Sequence, residues 1–161
     1  MSITTSLVKD FMTPNPVVIQ PTESVEAAIK LMEERRISGL PVTNDQGKVV
    51  GILSEGDLLV RESPVQPPLY MTLLGSIIYF ESPLHFHQHM KKALGMFVQD
   101  AMTENPITIG PNALLADAAH LMLDKKVNRL PVVDEHQKLV GILTRHDLLF
   151  ALKPQAEVKN S

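Results

Sequence analysis

The chain of 161 residues contains no cysteine, which excludes disulfide frameworks, thiolate zinc sites and cysteine nucleophiles. Tryptophan is absent and aromatic residues make up only 4%, too few for the stacking platforms of single-strand binders. Positive charge is not in excess: the formal net charge is -3, without the basic footprint of a nucleic-acid-binding protein. Met1 to Asp10 lacks the basic start and apolar centre of a secretory signal. The longest apolar stretch, Leu69 to Phe80, is interrupted by Thr72, Gly75 and Ser76 and falls short of a bilayer span. A cytoplasmic protein is expected, with no nucleic-acid partner and no membrane insertion.

Catalytic motifs are missing as well. Gly51-Ile52-Leu53-Ser54-Glu55-Gly56-Asp57 has the glycine spacing of a phosphate loop without its Lys-Ser/Thr ending. Ser54 is not in a nucleophile elbow, because Ile52 stands at the first glycine place. The chain is therefore not expected to be an enzyme.

What the sequence does contain is a repeat. At an offset of 90, Val8–Val60 aligns with Val98–Phe150 without a gap, and 22 of the 53 aligned positions are identical. Asp10-Phe11-Met12-Thr13 returns as Asp100-Ala101-Met102-Thr103, Leu40-Pro41-Val42 as Leu130-Pro131-Val132, and Val50-Gly51-Ile52-Leu53 as Val140-Gly141-Ile142-Leu143. Two copies are too few, and the period too long, for a solenoid.

Local signals agree within each copy. Val17-Val18-Ile19 is a β-branched run, a strand candidate. Thr22 is placed to cap a helix carrying Val25, Ala28, Ile29 and Met32, a stripe repeated by Leu115, Ala118, Ala119 and Met122. Leu40 to Thr43 and Lys48 to Leu53 read as a hairpin about Asn44-Asp45-Gln46-Gly47, and Ser54 opens a second helix. The expected fold is α/β in composition, of the α+β type: two pseudo-symmetric β-α-β-β-α motifs packed through their sheets. The boundaries are 7–62 and 97–152, with a partly helical insert over 63–97 and a tail over 153–161. One copy of this size buries too little surface to be stable alone.

These residues resemble a tandem pair of CBS domains, named after cystathionine beta-synthase and together called a Bateman module. The resemblance implies a sensor of adenosine-containing ligands, AMP, ADP or ATP, that forms a homodimer and regulates a separate protein. No other cofactor is implied. In such pairs Asp57 and Asp147 correspond to the aspartates that accept hydrogen bonds from ribose hydroxyls. A carboxylate is acceptor-only and suits two adjacent hydroxyls. Both also stand in helix-start sequences, Ser54-x-x-Asp57 and Thr144-x-x-Asp147, where an acid caps the helix; the two roles can coexist. Ser54 and Thr144 open helices whose free amides suit phosphate.

Thr13, Pro16 and Val17, with Thr103, Pro106 and Ile107, correspond to the stretch that offers backbone contacts and an apolar face to adenine. Ser38, Gly39, Leu40 and Pro41, with Asn128, Arg129, Leu130 and Pro131, correspond to the opposing wall. Arg145 follows Thr144 where the first copy has Glu55, so an anion is expected to prefer the second site. Arg36, Lys126 and Arg129 either add to a phosphate field or are solvated surface charges.

The insert carries His85, His87 and His89, which share a face on a strand; no acid or cysteine completes a metal set, and no metal site is expected. Two alternatives stay open: an adaptor dimer with no ligand in its clefts, and an S-adenosylmethionine-binding module.

Overall fold

A side-chain turn decides where the first long helix begins. The Gln20 N–H donates to Glu23 Oε2 at 2.8 Å and the Glu23 N–H to the Gln20 carbonyl at 3.2 Å. That closed turn moves the cap from Thr22, where the sequence suggested it, to Ser24, whose Oγ accepts from the Ala27 N–H at 3.0 Å. The computed structural model describes residues 4–62, 70–73, 76–79 and 96–152.

In the first repeat a 3-10 turn (Val8–Asp10) leads to β1 (Thr13–Pro14), α1 (Val25–Arg35), β2 (Gly39–Thr43), β3 (Val49–Ser54) and α2 (Glu55–Glu62). The second runs α3 (Val98–Ala101), β6 (Thr103–Glu104), α4 (Leu115–Lys125), β7 (Arg129–Val133), β8 (Leu139–Thr144) and α5 (Arg145–Ala151). Between them lies an antiparallel hairpin of β4 (Tyr70–Leu73) and β5 (Ser76–Tyr79). Residues 63–69, 74–75 and 80–95, with His85, His87 and His89 among them, lie outside the described residues, as does 153–161.

The fold is mixed α+β, and its sheets are composite. β1 pairs with β8 of the other repeat, Thr13 opposite Ile142, while β6 pairs with β3, Thr103 opposite Ile52. The two main sheets are thus β1-β8-β7 and β2-β3-β6. The expected strand over Val17-Val18-Ile19 reduces to one parallel bridge, Ile19 with Val42. Ile19 exchanges bonds with Pro41 and Thr43, but proline at 16 and 21 leaves no length of ladder around it.

The cores are composite too. Fully buried Val8 packs with Leu115, Ala118, Met122, Leu130 and Leu143 of the second repeat. Val98 and Ala101 pack with Ile19, Ala28, Leu40 and Leu53 of the first. Backbone bonds fix the exchange: the Val8 N–H donates to Ala113 and Lys9 to Pro111, while Val98 donates to Glu23 and Gln99 to Pro21. Met12 lies on Gly141 and Met102 on Gly51, where an added Cβ would run into the thioether. An unbranched, polarizable side chain suits such a seam.

The hairpin turns show the same logic in different residues. Asn44 Oδ1 accepts from the Gln46 and Lys48 amides, and Asp134 Oδ1 from those of His136 and Lys138. Those bonds, the one from Lys138 first, hold the Asp134 carboxyl below its ordinary range. The stabilisation from this ionised form is therefore present above the ordinary aspartate range and is lost as pH falls through the depressed value. Gly47 has φ 74° and its equivalent Gln137 φ 63°. Only the first copy has the residue for which that region is free of cost.

Because each core holds a residue from the other repeat, the two halves should unfold as one unit. Val8→Ala and Val98→Ala each delete two buried methyl groups and should cost about 2 kcal/mol. Calorimetry should show a single transition that both substitutions lower. Two separable transitions, each sensitive to one substitution only, would contradict the composite cores.

Candidate functional site: two clefts between the repeats

The exchange of β1 and β6 creates the site. After β1 the chain must return from the second repeat's sheet to its own helix, and after β6 the reverse. Asn15 and Asn105 make these turns at φ 46° and 47°, a left-handed conformation that asparagine tolerates better than most residues. Pro16-Val17 and Pro106-Ile107 then face a groove whose other side belongs to the opposite repeat.

Two clefts result, of about 270 and 290 Å3. Thr13, Pro16 and Val17 line the first with Ser38, Gly39 and Pro41 of the same repeat and Ile142 and Thr144 of the other. The second is lined by Thr103, Pro106, Ile107 and Asn128, with Ile52, Ser54 and Asp57 from the first repeat. Their volumes fall just below those of small-molecule sites, which run from about 300 to 1,000 Å3. Two roomier hollows, about 420 Å3 between α1 and α2 and about 600 Å3 beside the 134–137 turn, each draw on one repeat only.

The expected residues divide accordingly. Asp57 is brought to the second cleft, against the wall of the other repeat. Its Oδ2 accepts from Ser54 N–H at 2.8 Å and from Ser54 Oγ at 2.9 Å, closing a helix cap. Its Oδ1 accepts from Thr103 Oγ1 at 3.3 Å. Capping and facing the cleft thus occupy different oxygens of one carboxylate. Asp147 caps α5 in the same way, Oδ2 accepting from Thr144 N–H and Oγ1 at 2.7 Å each, but it is not among the residues lining the first cleft. Leu40 and Leu130 are fully buried, because alternation along β2 and β7 turns them into the cores. Pro131 is buried and outside both linings; Arg145 is exposed and also outside them. The cations that do reach the clefts are Arg36 in the first, Lys126 in the second, and Arg129 in both.

Arg36 and Lys126 sit at the left-handed C-caps of α1 and α4, with φ 52° and 54°, where a positive charge also complements the helix dipole. Arg129 is half-buried; its Nη2 donates to Ser38 Oγ at 3.0 Å. Burial pushes its guanidinium below the usual arginine range, against the opposing pull of the Glu55 and Asp57 carboxylates. Arginine nevertheless stays charged in proteins, so the junction holds a partly desolvated cation. Asn105, Val127 and Ile52 line the second cleft without having been anticipated. For Asn105 the signal was present: the same asparagine precedes a proline in both copies.

Among the described residues no helix is long and apolar enough to cross a membrane, and no group of three or more His, Asp or Glu side chains is placed to hold a metal. The model of the CBS domain family matches residues 8–63 and 98–154, and the chain belongs to that family as a tandem pair. It is similar to the uncharacterized protein MJ1426 of Methanocaldococcus jannaschii, 37% identical over 153 residues, which are 91% of this chain and 90% of that protein. The chloroplastic CBS domain-containing protein CBSX2 of Arabidopsis thaliana is 38% identical over 159 residues, 96% of this chain and 67% of that one. A crystal structure of CBSX2 in complex with AMP shares the fold at a TM-score of 0.70 and 35% identity, covering 90% of this chain and 94% of that chain.

Thr144→Ala removes the side chain that accepts from the Asp147 N–H at the start of α5. It should cost about 1 kcal/mol, read as a lower urea midpoint with an unchanged slope.

Proposed function

We propose that this protein binds an adenosine nucleotide (AMP, ADP or ATP) in its inter-repeat clefts and regulates a separate protein through their occupancy, without catalysis of its own. The lining of the second cleft carries this reading. Asp57 supplies acceptor oxygens for ribose hydroxyls, Pro106 and Ile107 an apolar wall for the base, and Lys126 and Arg129 positive charge for phosphate. Those three chemistries converge at one place, as a nucleotide requires. The AMP named with the CBSX2 structure supports the choice of ligand class. A homodimer belongs to the same reading. Leu123, 70% exposed, and Leu149, Phe150 and Leu152 present apolar surface on and just beyond α4 and α5, and such surface on a folded domain marks an interface.

Nucleotide-dependent unfolding tests the central claim. AMP or ATP at about a hundred times its dissociation constant should stabilise the fold by about 2.7 kcal/mol. No melting shift with any of AMP, ADP or ATP would favour an adaptor with unliganded clefts. Asp57→Ala removes charge-assisted bonds worth about 1.5–3 kcal/mol, so calorimetric titration should find the second cleft about 10- to 150-fold weaker. Unchanged affinity in the folded fraction would assign Asp57 to capping alone. Light scattering should report a dimer, with a monomer at all concentrations counting against the interface.

A further inference from the structure

Arg129 and Gly39 hold equivalent positions in the two repeats, and in space they meet. The Arg129 guanidinium lies on Gly39, where a Cβ would collide with it, and it donates to Ser38 Oγ. It therefore fills the room that a side chain at its own counterpart would need. A side chain at position 39 would have to displace it, and with glycine there one guanidinium lines both clefts. The two sides of that cation differ. Toward the first cleft it meets the Ser38 hydroxyl, with Arg36 nearby and no carboxylate in the lining. Toward the second, Asp57 lines the cleft and its charge acts on the guanidinium.

We propose that Arg129 makes the two clefts compete for phosphate-bearing ligands, so that a phosphate bound in one weakens the binding of a phosphate in the other. The proposal rests on the nucleotide-binding reading above. A guanidinium presents its donors as a planar fork that fits one phosphate in bidentate fashion. A phosphate in the first cleft holds the fork beside Ser38 and leaves Asp57, in the lining of the second, less compensated, which disfavours a second anion next to it. A phosphate in the second cleft draws the fork off Ser38 and leaves the first cleft with Arg36 alone. The coupling is reciprocal by linkage. Adenosine carries no phosphate and should show none of it.

Titration calorimetry with AMP and with adenosine tests this on the full chain. Val17→Trp fills the first cleft and Ile107→Trp the second, so each variant gives the constant of the remaining site. In the unsubstituted protein the product of the two AMP constants should be weaker than the product of these isolated values by about tenfold. For adenosine the two products should agree, and Arg129→Gln placed in all three backgrounds should abolish the AMP deficit. If a tryptophan variant does not fold, the unblocked protein serves instead. There the gap between the first and second AMP constants should narrow about tenfold in Arg129→Gln. AMP products that agree, or a deficit or gap that survives Arg129→Gln, overturn the coupling while leaving nucleotide binding intact. Failure of AMP to bind at either cleft removes the underlying reading and the coupling with it.

Discussion

The reciprocal exchange of the first segment between repeats is the constraint on which the rest of the structure depends. Val8 completes the core around Leu115 and Leu130, and Val98 completes the core around Ala28 and Leu40. Neither repeat owns a whole sheet or a whole core. A chain that leaves one sheet and must start a helix on the other has to cross between them, and the crossing segments are Asn15 to Val17 and Asn105 to Ile107. The clefts are the space beside those crossings. Their mixed linings are thus a consequence of the topology rather than a separate design feature.

The same topology explains how one residue serves stability and recognition together. Helix starts of one repeat, at Ser54 and Thr144, line the same clefts as the crossing segment of the other. An acid three residues into such a helix bonds back to the cap, as Asp57 and Asp147 do. For Asp57 that leaves the second oxygen on the cleft side, where Thr103 meets it. Burying an ionised group without partners is costly, and the cap supplies the partners that let this carboxylate stand in a half-buried groove.

Much of this was legible in the sequence. The 90-residue register located both hairpins and the apolar stripes of α1 and α4, because identical residues in register carry the same periodicity twice. Thr13, Thr103, Ser38, Asn128 and Asp57 all line the two clefts. Three features were not legible. Thr22 and Ser24 are equally good caps by type, and only the Gln20–Glu23 turn selects Ser24. Val17 to Ile19 has strand composition, but pairing is a tertiary matter, and a single bridge forms. The exchange itself leaves no local trace, since Val8 and Val98 would look equally apolar packed at home or away. For that reason Asp57 could be recognised as a cleft residue without its being evident that its cleft is walled by the other repeat.

The divergence of the two copies follows from where equivalent positions meet. Lys48 and Lys138 face each other through the main chain, and the Leu139 N–H donates to the Gly47 carbonyl at 3.1 Å. Both lysine side chains remain exposed, so identity at that contact costs no space. Positions 39 and 129 meet through a side chain instead. At that contact the Arg129 guanidinium occupies the place that a Cβ at position 39 would take. One large and one absent side chain satisfies the packing, and Arg129 over Gly39 is that solution. An internal repeat that folds back on itself in this way cannot keep two identical clefts once a long side chain enters the junction. The unequal clefts are set by the geometry of the contact.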